Sequence, residues 1–389
     1  MQIYDFDKNR KRVKKELNLK LEENKAKLRR NNLKVNVING EKKDVYEIND
    51  AESSFIYVNN KIIGIKDFTS KLIYKSISNK KIMCNKFSNC EFNSVKFENC
   101  TFHGTLFENC KFNKVNFSHC DFYDNEGSIG IFQNHCIFNN CIFEHTNLKN
   151  MVFQNSDFIK IKFIFTSLRN AIFDECNINR ILFSDCNLKA MKIIETHINV
   201  LRFEDKYLSK VDENTFIDKI NINENYDYDN LFKTYKSISS IYESNRYASY
   251  GGEYYYLAKC MERKSLKGLE RFKSNIFWII CGYGERPTFA LVTSFEIVLL
   301  FAIMYMFSGL CINGSTINYS FNILYLLPKR AIYLDFIKCF YFSLVTFTSV
   351  GYGDIFPTGY SVIFSCFEMI LGVTMVGVWT ATLARKIIR

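Results

Sequence analysis

The feature that most constrains this 389-residue chain is a large apolar side chain recurring every five residues. Phe87, Phe92, Phe97, Phe102, Phe107, Phe112, Phe117 and Phe122 hold the period without a break. The phase slips by one after residues 125–130, where a loop is expected to bulge from the repeat. It resumes at Phe138, Phe143, Leu148, Phe153, Phe158 and Phe163 and runs on to Leu208. A period of five matches neither a helix at 3.6 residues per turn nor a strand at 2. Held for over 120 residues, it specifies a solenoid whose coil has several equal sides.

A second register lies two residues ahead of each large one. It reads Cys90, Val95, Cys100, Thr105, Cys110, Val115 and Cys120, then continues from Cys136 and Cys141 to Cys186. Small or medium residues fill it, so each repeat points one large and one small side chain inward. Eight of the fourteen cysteines sit in this slot and are read as small core hydrophobes, not as ligands or redox centres. No CxxC pair occurs, which argues against zinc. No apolar leader follows Met1, so a disulfide framework is not expected. The five histidines share no spacing and are placed on outer faces.

The small–polar–large pattern resembles the pentapeptide-repeat family, over residues 82–210. That resemblance implies a right-handed quadrilateral β-helix with one repeat per side, which makes about six coils at twenty residues per coil. At strand-like spacing the stack is roughly 30 Å tall. Some family members imitate DNA with an acidic surface. Residues 84–210 carry fourteen Lys/Arg and fourteen Asp/Glu, and a neutral solenoid is a poor mimic of a polyanion; no nucleic-acid partner is expected.

Charge and hydropathy divide the rest. The formal charge of +11 is concentrated in the first 34 residues and between residues 259 and 286. Residues 1–81 read as a charged helix (8–34, with Val13, Leu17, Leu21 and Leu28 on one side) followed by short β-like runs at 35–38, 55–58 and 61–65 that cap the solenoid. Residues 211–287 read as a helical linker broken at Gly251–Gly252, ending in a basic, aromatic segment suited to a membrane interface. Apolar runs at 288–312 and 359–383 are each long enough to span a bilayer, which needs about 20 residues. The weight of Asn, Lys and Ile points to an AT-rich, bacterial genome.

Between those runs stands Thr346-Phe347-Thr348-Ser349-Val350-Gly351-Tyr352-Gly353-Asp354. This closely resembles the potassium-channel signature T-x-T-T-V-G-Y-G-D, in the frame of a two-transmembrane, pore-loop channel of the bacterial type. The resemblance implies an α-helical two-span pore domain at 288–389, with backbone and hydroxyl oxygens of Ser349, Val350, Gly351, Tyr352 and Gly353 forming the selectivity filter. Potassium would sit at Ser349, Val350, Gly351 and Tyr352, with Thr348, Asp354 and Glu368 as support. Carbonyls that all face one axis require left-handed backbone, which Gly351 and Gly353 tolerate. Ser349 replaces the usual Thr, keeping the oxygen and losing the methyl. Tyr352 is expected to pack on Phe340 and Tyr341. One loop supplies a quarter of a filter, so the resemblance implies a homotetramer. Gly282-Tyr283-Gly284 repeats G-Y-G without a preceding pore helix and reads as an interfacial turn.

Several residues keep two readings. Gly372 and Gly377 in the second span are gating hinges by family analogy or close-packing positions. Glu368 either hydrogen-bonds behind the filter or forms a cation-attracting ring. Glu296, in the first span, is costly unless paired or functional. The Lys/Arg bias places both termini in the cytoplasm of a multi-pass cell-membrane protein. No catalytic constellation appears, so no enzyme activity and no cofactor are expected, with potassium as the permeant ligand and the gating ligand unknown. The alternative is a membrane-tethered repeat scaffold with a nonselective or vestigial pore.

Overall fold

The computed structural model describes residues 5–39, 56–58, 61–63, 71–79, 86–88, 90–123, 130–221, 227–312, 314–319 and 329–388. The chain forms two compact units, Met1–Glu262 and Arg263–Arg389.

The first unit is a four-sided β-solenoid of about 6 turns. Strands mostly of three or four residues, lengthening to Asn177–Ser184 and His197–Phe203 in the last coils, pair in parallel with their counterparts one coil away, as in Phe92↔Phe112 and Phe112↔Phe138. One side forms a seven-stranded sheet, two sides join into a twelve-stranded one, and the fourth is held by isolated bridges such as Thr101↔Asp121. The ladder begins at Lys71 and its last strand is Phe216–Ile217. Paired strands thus lie beyond both ends of the 82–210 segment marked by the pattern.

The period of five has a backbone cause. The second residue after most of the large ones turns the corner in the left-handed region, the exceptions including Arg180 and Val200 inside the longer strands Asn177–Ser184 and His197–Phe203. Asn99, Asn109, Asn140, Asn150, Asn155 and Asn170 do so at φ of 48–60°, and Gly104 at 63°. Asparagine tolerates this conformation better than other non-glycine residues. The corner amide is satisfied by the next coil, as in Asn99 N–H donating to the Ser118 carbonyl at 3.0 Å. The phenylalanine rings stack coil on coil, Phe92 on Phe112 at 4.9 Å and Phe112 on Phe138 at 4.8 Å. In the small slot, Cys and Thr are interchangeable because each donates to a backbone carbonyl. Cys110 Sγ reaches Phe87 O at 3.4 Å, and Thr166 Oγ1 reaches Phe143 O at 2.8 Å. Burial pushes the thiols of Cys136, Cys141 and Cys186 up to about 12.

The coil is lengthened at two places, and the one-residue slip falls at the second, between Phe132 and Phe138, not at 125–130. Phe132, ten residues after Phe122 and therefore still in phase, stacks on Phe107 at 4.6 Å and pairs with it across 25 residues instead of 20, one whole repeat more. One further residue is absorbed where Asn134 and His135 are both left-handed. Most of the expected loop at 125–130 lies outside the described residues.

Helix α1 (Phe6–Asn39) packs Val13 and Leu17 into the solenoid's core cluster. The 35–38 run expected as strand is helical instead. Ile56–Val58 and Lys61–Ile63 pair as an antiparallel hairpin beside Lys86–Ser88, the first strand of the seven-stranded side.

At the other end, α2 (Tyr228–Ser244) and α3 (Ala248–Ser265) cover the last coil. Tyr235 OH accepts from Ile220 N–H at 2.8 Å, Tyr242 OH donates to Thr215 O at 2.6 Å, and Tyr254 OH bonds both the amide and the carbonyl of Ile217. These phenols terminate a sheet edge that would otherwise template further pairing. The helix break falls at Asn245–Arg246, where Arg246 has φ 66°, and not at Gly251–Gly252. Gly251 lies inside α3, where α2 approaches so closely that a Cβ would meet Glu243 Cγ at 2.6 Å and Ser239 O at 3.2 Å.

Candidate functional site: the pore-loop segment

The second unit holds α4 (Gly268–Cys281), α5 (Pro287–Ser308), α6 (Lys329–Phe347) and α7 (Ser361–Ile388). Helices α5 and α7 are long and apolar enough to cross a membrane. The first apolar run does not stay helical to residue 312. Gly309, at φ 107°, ends α5, and Leu310–Ile312 becomes the middle strand of an antiparallel sheet with Ser315–Ile317 and Ile355–Pro357. That sheet ties the segment after the signature loop to the end of α5, reinforced by Thr358 N–H donating to Gly309 O at 3.1 Å.

Helix α6 ends in a Schellman arrangement that launches the signature loop. Ser349 N–H donates to Thr346 O and Val350 N–H to Val345 O, both at 3.0 Å, with Ser349 left-handed at φ 58°. Thr348 spends its hydroxyl on Leu344 O at 2.7 Å. Gly351 and Gly353 follow at φ 58° and 75°, so left-handed residues alternate along the loop at 349, 351 and 353. The departure from Thr now has a steric reading. A β-branched residue is disfavoured at a left-handed position, and Ser removes the branch.

Tyr352 stacks parallel to Tyr341, with centroids 6.5 Å apart, while Phe340 turns to Phe295 and Phe336 instead of to Tyr352. Val350, Gly351, Tyr352 and Gly353 are exposed in the single chain.

Glu368 is fully buried where three helices meet. Tyr305 of α5 donates to its Oε2 at 2.6 Å, and Ser343 of α6 donates to its Oε1. Ser343 also reaches Val298 O on α5 at 2.8 Å. This is the hydrogen-bonded alternative for Glu368, and neither Tyr305 nor Ser343 was marked by sequence pattern. One turn on, Gly372 presses on the end of α6, where a Cβ would lie 1.9 Å from Phe347 O. A Cβ at Gly377 would meet nothing within 4 Å. Glu296 is exposed on α5, with no hydrogen bond or ion pair among the described residues.

Gly282–Gly284 forms a short turn between α4 and α5, with Tyr283 OH 2.8 Å from Ser274 Oγ. The buried Glu285 carboxylate after it takes Arg385 of α7 at 3.0 Å. Trp278 of α4 carries the Arg263 guanidinium 4.1 Å over its ring, while Leu269, Phe272 and Phe277 are exposed. The exposed aromatic residues of the basic segment expected at a membrane interface thus lie on α4.

Residues 315–389 match the family model described as ion channel. Residues 87–125 match the family model described as "pentapeptide repeats (9 copies)", and residues 152–189 the one described as "pentapeptide repeats (8 copies)". The chain joins pentapeptide repeats to an ion-channel domain. No curated protein matches it. Among solved structures, QnrB1, a plasmid-mediated fluoroquinolone resistance protein, is similar in two forms. A trypsin-treated variant shares 15% identity over 37% of this chain and 79% of that chain, at a TM-score of 0.26. The full-length form shares 16% over 40% and 94%, at 0.19. Similarity at these scores carries no functional weight. The ion-channel domain and its two apolar helices make this a membrane protein.

Proposed function

We propose that the chain is one subunit of a homotetrameric, potassium-selective channel whose repeat domain lies in the cytoplasm and modulates gating. The observation that carries this reading is the loop at 349–353, where left-handed backbone alternates directly after a capped helix between two apolar spans. Alternation of this kind aims successive carbonyls towards one side, which a dehydrated cation requires. Four copies around an axis would complete each oxygen ring. Helix α6 is then the pore helix, α7 the inner helix, and Glu368 the residue that fixes inner helix to pore helix behind the filter. Gly377, with open space around it, is the better placed of the two glycines to bend. Conduction is passive, with no catalytic step and no cofactor.

Flux from liposomes holding the purified protein tests this. Potassium should pass far faster than sodium, and Gly351→Ala should abolish the preference, because alanine is strained at φ 58°. Equal fluxes of the two ions in the unaltered protein would leave a scaffold with a nonselective pore.

A further inference from the structure

We propose that Asp174, Glu175 and Glu195 form a binding site for a hard divalent cation of the calcium class, held by the Lys14 ammonium when no such ion is bound. Glu175 and Glu195 occupy the same corner of successive coils, both left-handed, and one carboxylate oxygen from each of the three residues lies within 4.8 Å of the others. Asp174 is 2% exposed. Its Oδ2 accepts from Gln154 Nε2 at 3.2 Å, whereas its Oδ1 is buried with no hydrogen-bond partner among the described residues. Burying a carboxylate oxygen with no donor is costly, and an ion beside it removes that cost.

The local charge is unbalanced in the same sense. Lys14 Nζ lies 3.4 Å from Glu175 Oε1 and bonds Glu195. The neighbouring cations are committed elsewhere, Arg10 to Asp218 and Lys192 to Glu16. Among the described residues, the three carboxylates face the Lys14 ammonium, with Arg10 acting on Glu195 only through space while bonded to Asp218. The donor set is all oxygen, with no imidazole or thiolate, which suits calcium over zinc or copper. Three side chains leave the remaining coordination positions to water. An ion that enters must displace Lys14, so binding exchanges one contact of α1 with the solenoid.

This inference is independent of the channel reading, because it is read as binding to the protein and not as current. The full-length protein in detergent, stripped with EDTA, is titrated with CaCl2 and followed by calorimetry and thermal unfolding. Saturable binding that raises the melting temperature is expected. Glu195→Gln should weaken it by about tenfold or more, and Lys14→Ala should tighten it by removing the competing cation. Asp174→Asn should raise the melting temperature of the metal-free protein yet lose the calcium-induced rise. Opposite signs from one substitution are not the mark of a residue kept for packing alone. Absence of saturable binding up to ~10 mM calcium would overturn the proposal. So would Glu175→Gln and Glu195→Gln variants that titrate like the unaltered protein.

Discussion

Gly372 and Gly377 look alike in the apolar run of α7, yet the structure gives them different surroundings. Alanine at 372 must push the Phe347 carbonyl away, since its Cβ would sit 1.9 Å from that oxygen. Overpacking of this kind costs about 1–3 kcal/mol or more. Gly372→Ala should therefore lower the melting temperature and disturb ion flux, while Gly377→Ala should leave stability close to that of the parent. Equal melting temperatures for the two variants would count against the packing role. Asp174 supplies a second prediction at this scale. Burial raises its carboxyl to about 6. A raised acid favours the folded state only while protonated. Its contribution is full below the unfolded value near 3.9 and is lost as pH rises through 6. In metal-free buffer, the stability advantage of Asp174→Asn over the parent should grow between pH 4.5 and 7, then level off. A pH-independent difference would sink this assignment. Neither prediction was readable from sequence. A glycine in an apolar run and an acid in a repeat show their meaning only when the opposing atoms are known.

At the scale of elements, the solenoid was the most legible part. Its registers are local, because each strand meets its own copy one coil on. The structure adds the corner residues, whose left-handed backbone sets the five-residue step and accounts for the asparagines. It also places Phe132 in the ladder, in phase with Phe122, and puts the one-residue slip at Asn134–His135. The thiol ladder gives a test of the inward register. Cys90, Cys100, Cys110 and Cys120 are each 1% exposed or less, and hydrogen bonding to Cys90 and Cys100, with burial second, raises the thiols of Cys110 and Cys120. Mass spectrometry after native treatment with a thiol reagent should find these four unmodified, whereas the exposed Cys366 should react in detergent-solubilised protein. Rapid native modification of all four would show the register to be wrong. Helix ends were less legible. The break at Asn245–Arg246 is a capped turn, while Gly251–Gly252, the stronger breaker by composition, stays helical where α3 crosses α2 closely.

For the whole molecule, the division between units decides how its two halves can be separated. Residues 211–262 close the solenoid's last coil with a tyrosine triad and share its core. A cut at 210 would expose Leu231, Tyr235, Tyr242 and Tyr254, all buried in the intact unit. A cut after Glu262 follows the observed boundary. Removing residues 1–262 should leave potassium selectivity intact and change open probability in single-channel recordings. Ligand or ion binding in the first unit can shift the pore only through a free-energy difference between open and closed states. Tetramers with unaltered open probability under every condition tested would reduce the repeat domain to an assembly or docking role.

What the sequence determined by itself was whatever repeats or is read by local backbone need. That covers the five-residue solenoid, the inward cysteines, the two apolar spans and the glycines of the signature loop, since each depends on neighbours along the chain or on an identical coil. Only the tertiary structure decided the pairings between distant segments. Glu368 with Tyr305 and Ser343, Gly372 against Phe347, the tyrosines over the last coil, and Lys14 beside Asp174, Glu175 and Glu195 all join residues tens to hundreds of positions apart. Such contacts arise where separately specified elements pack, and no period in the sequence records them.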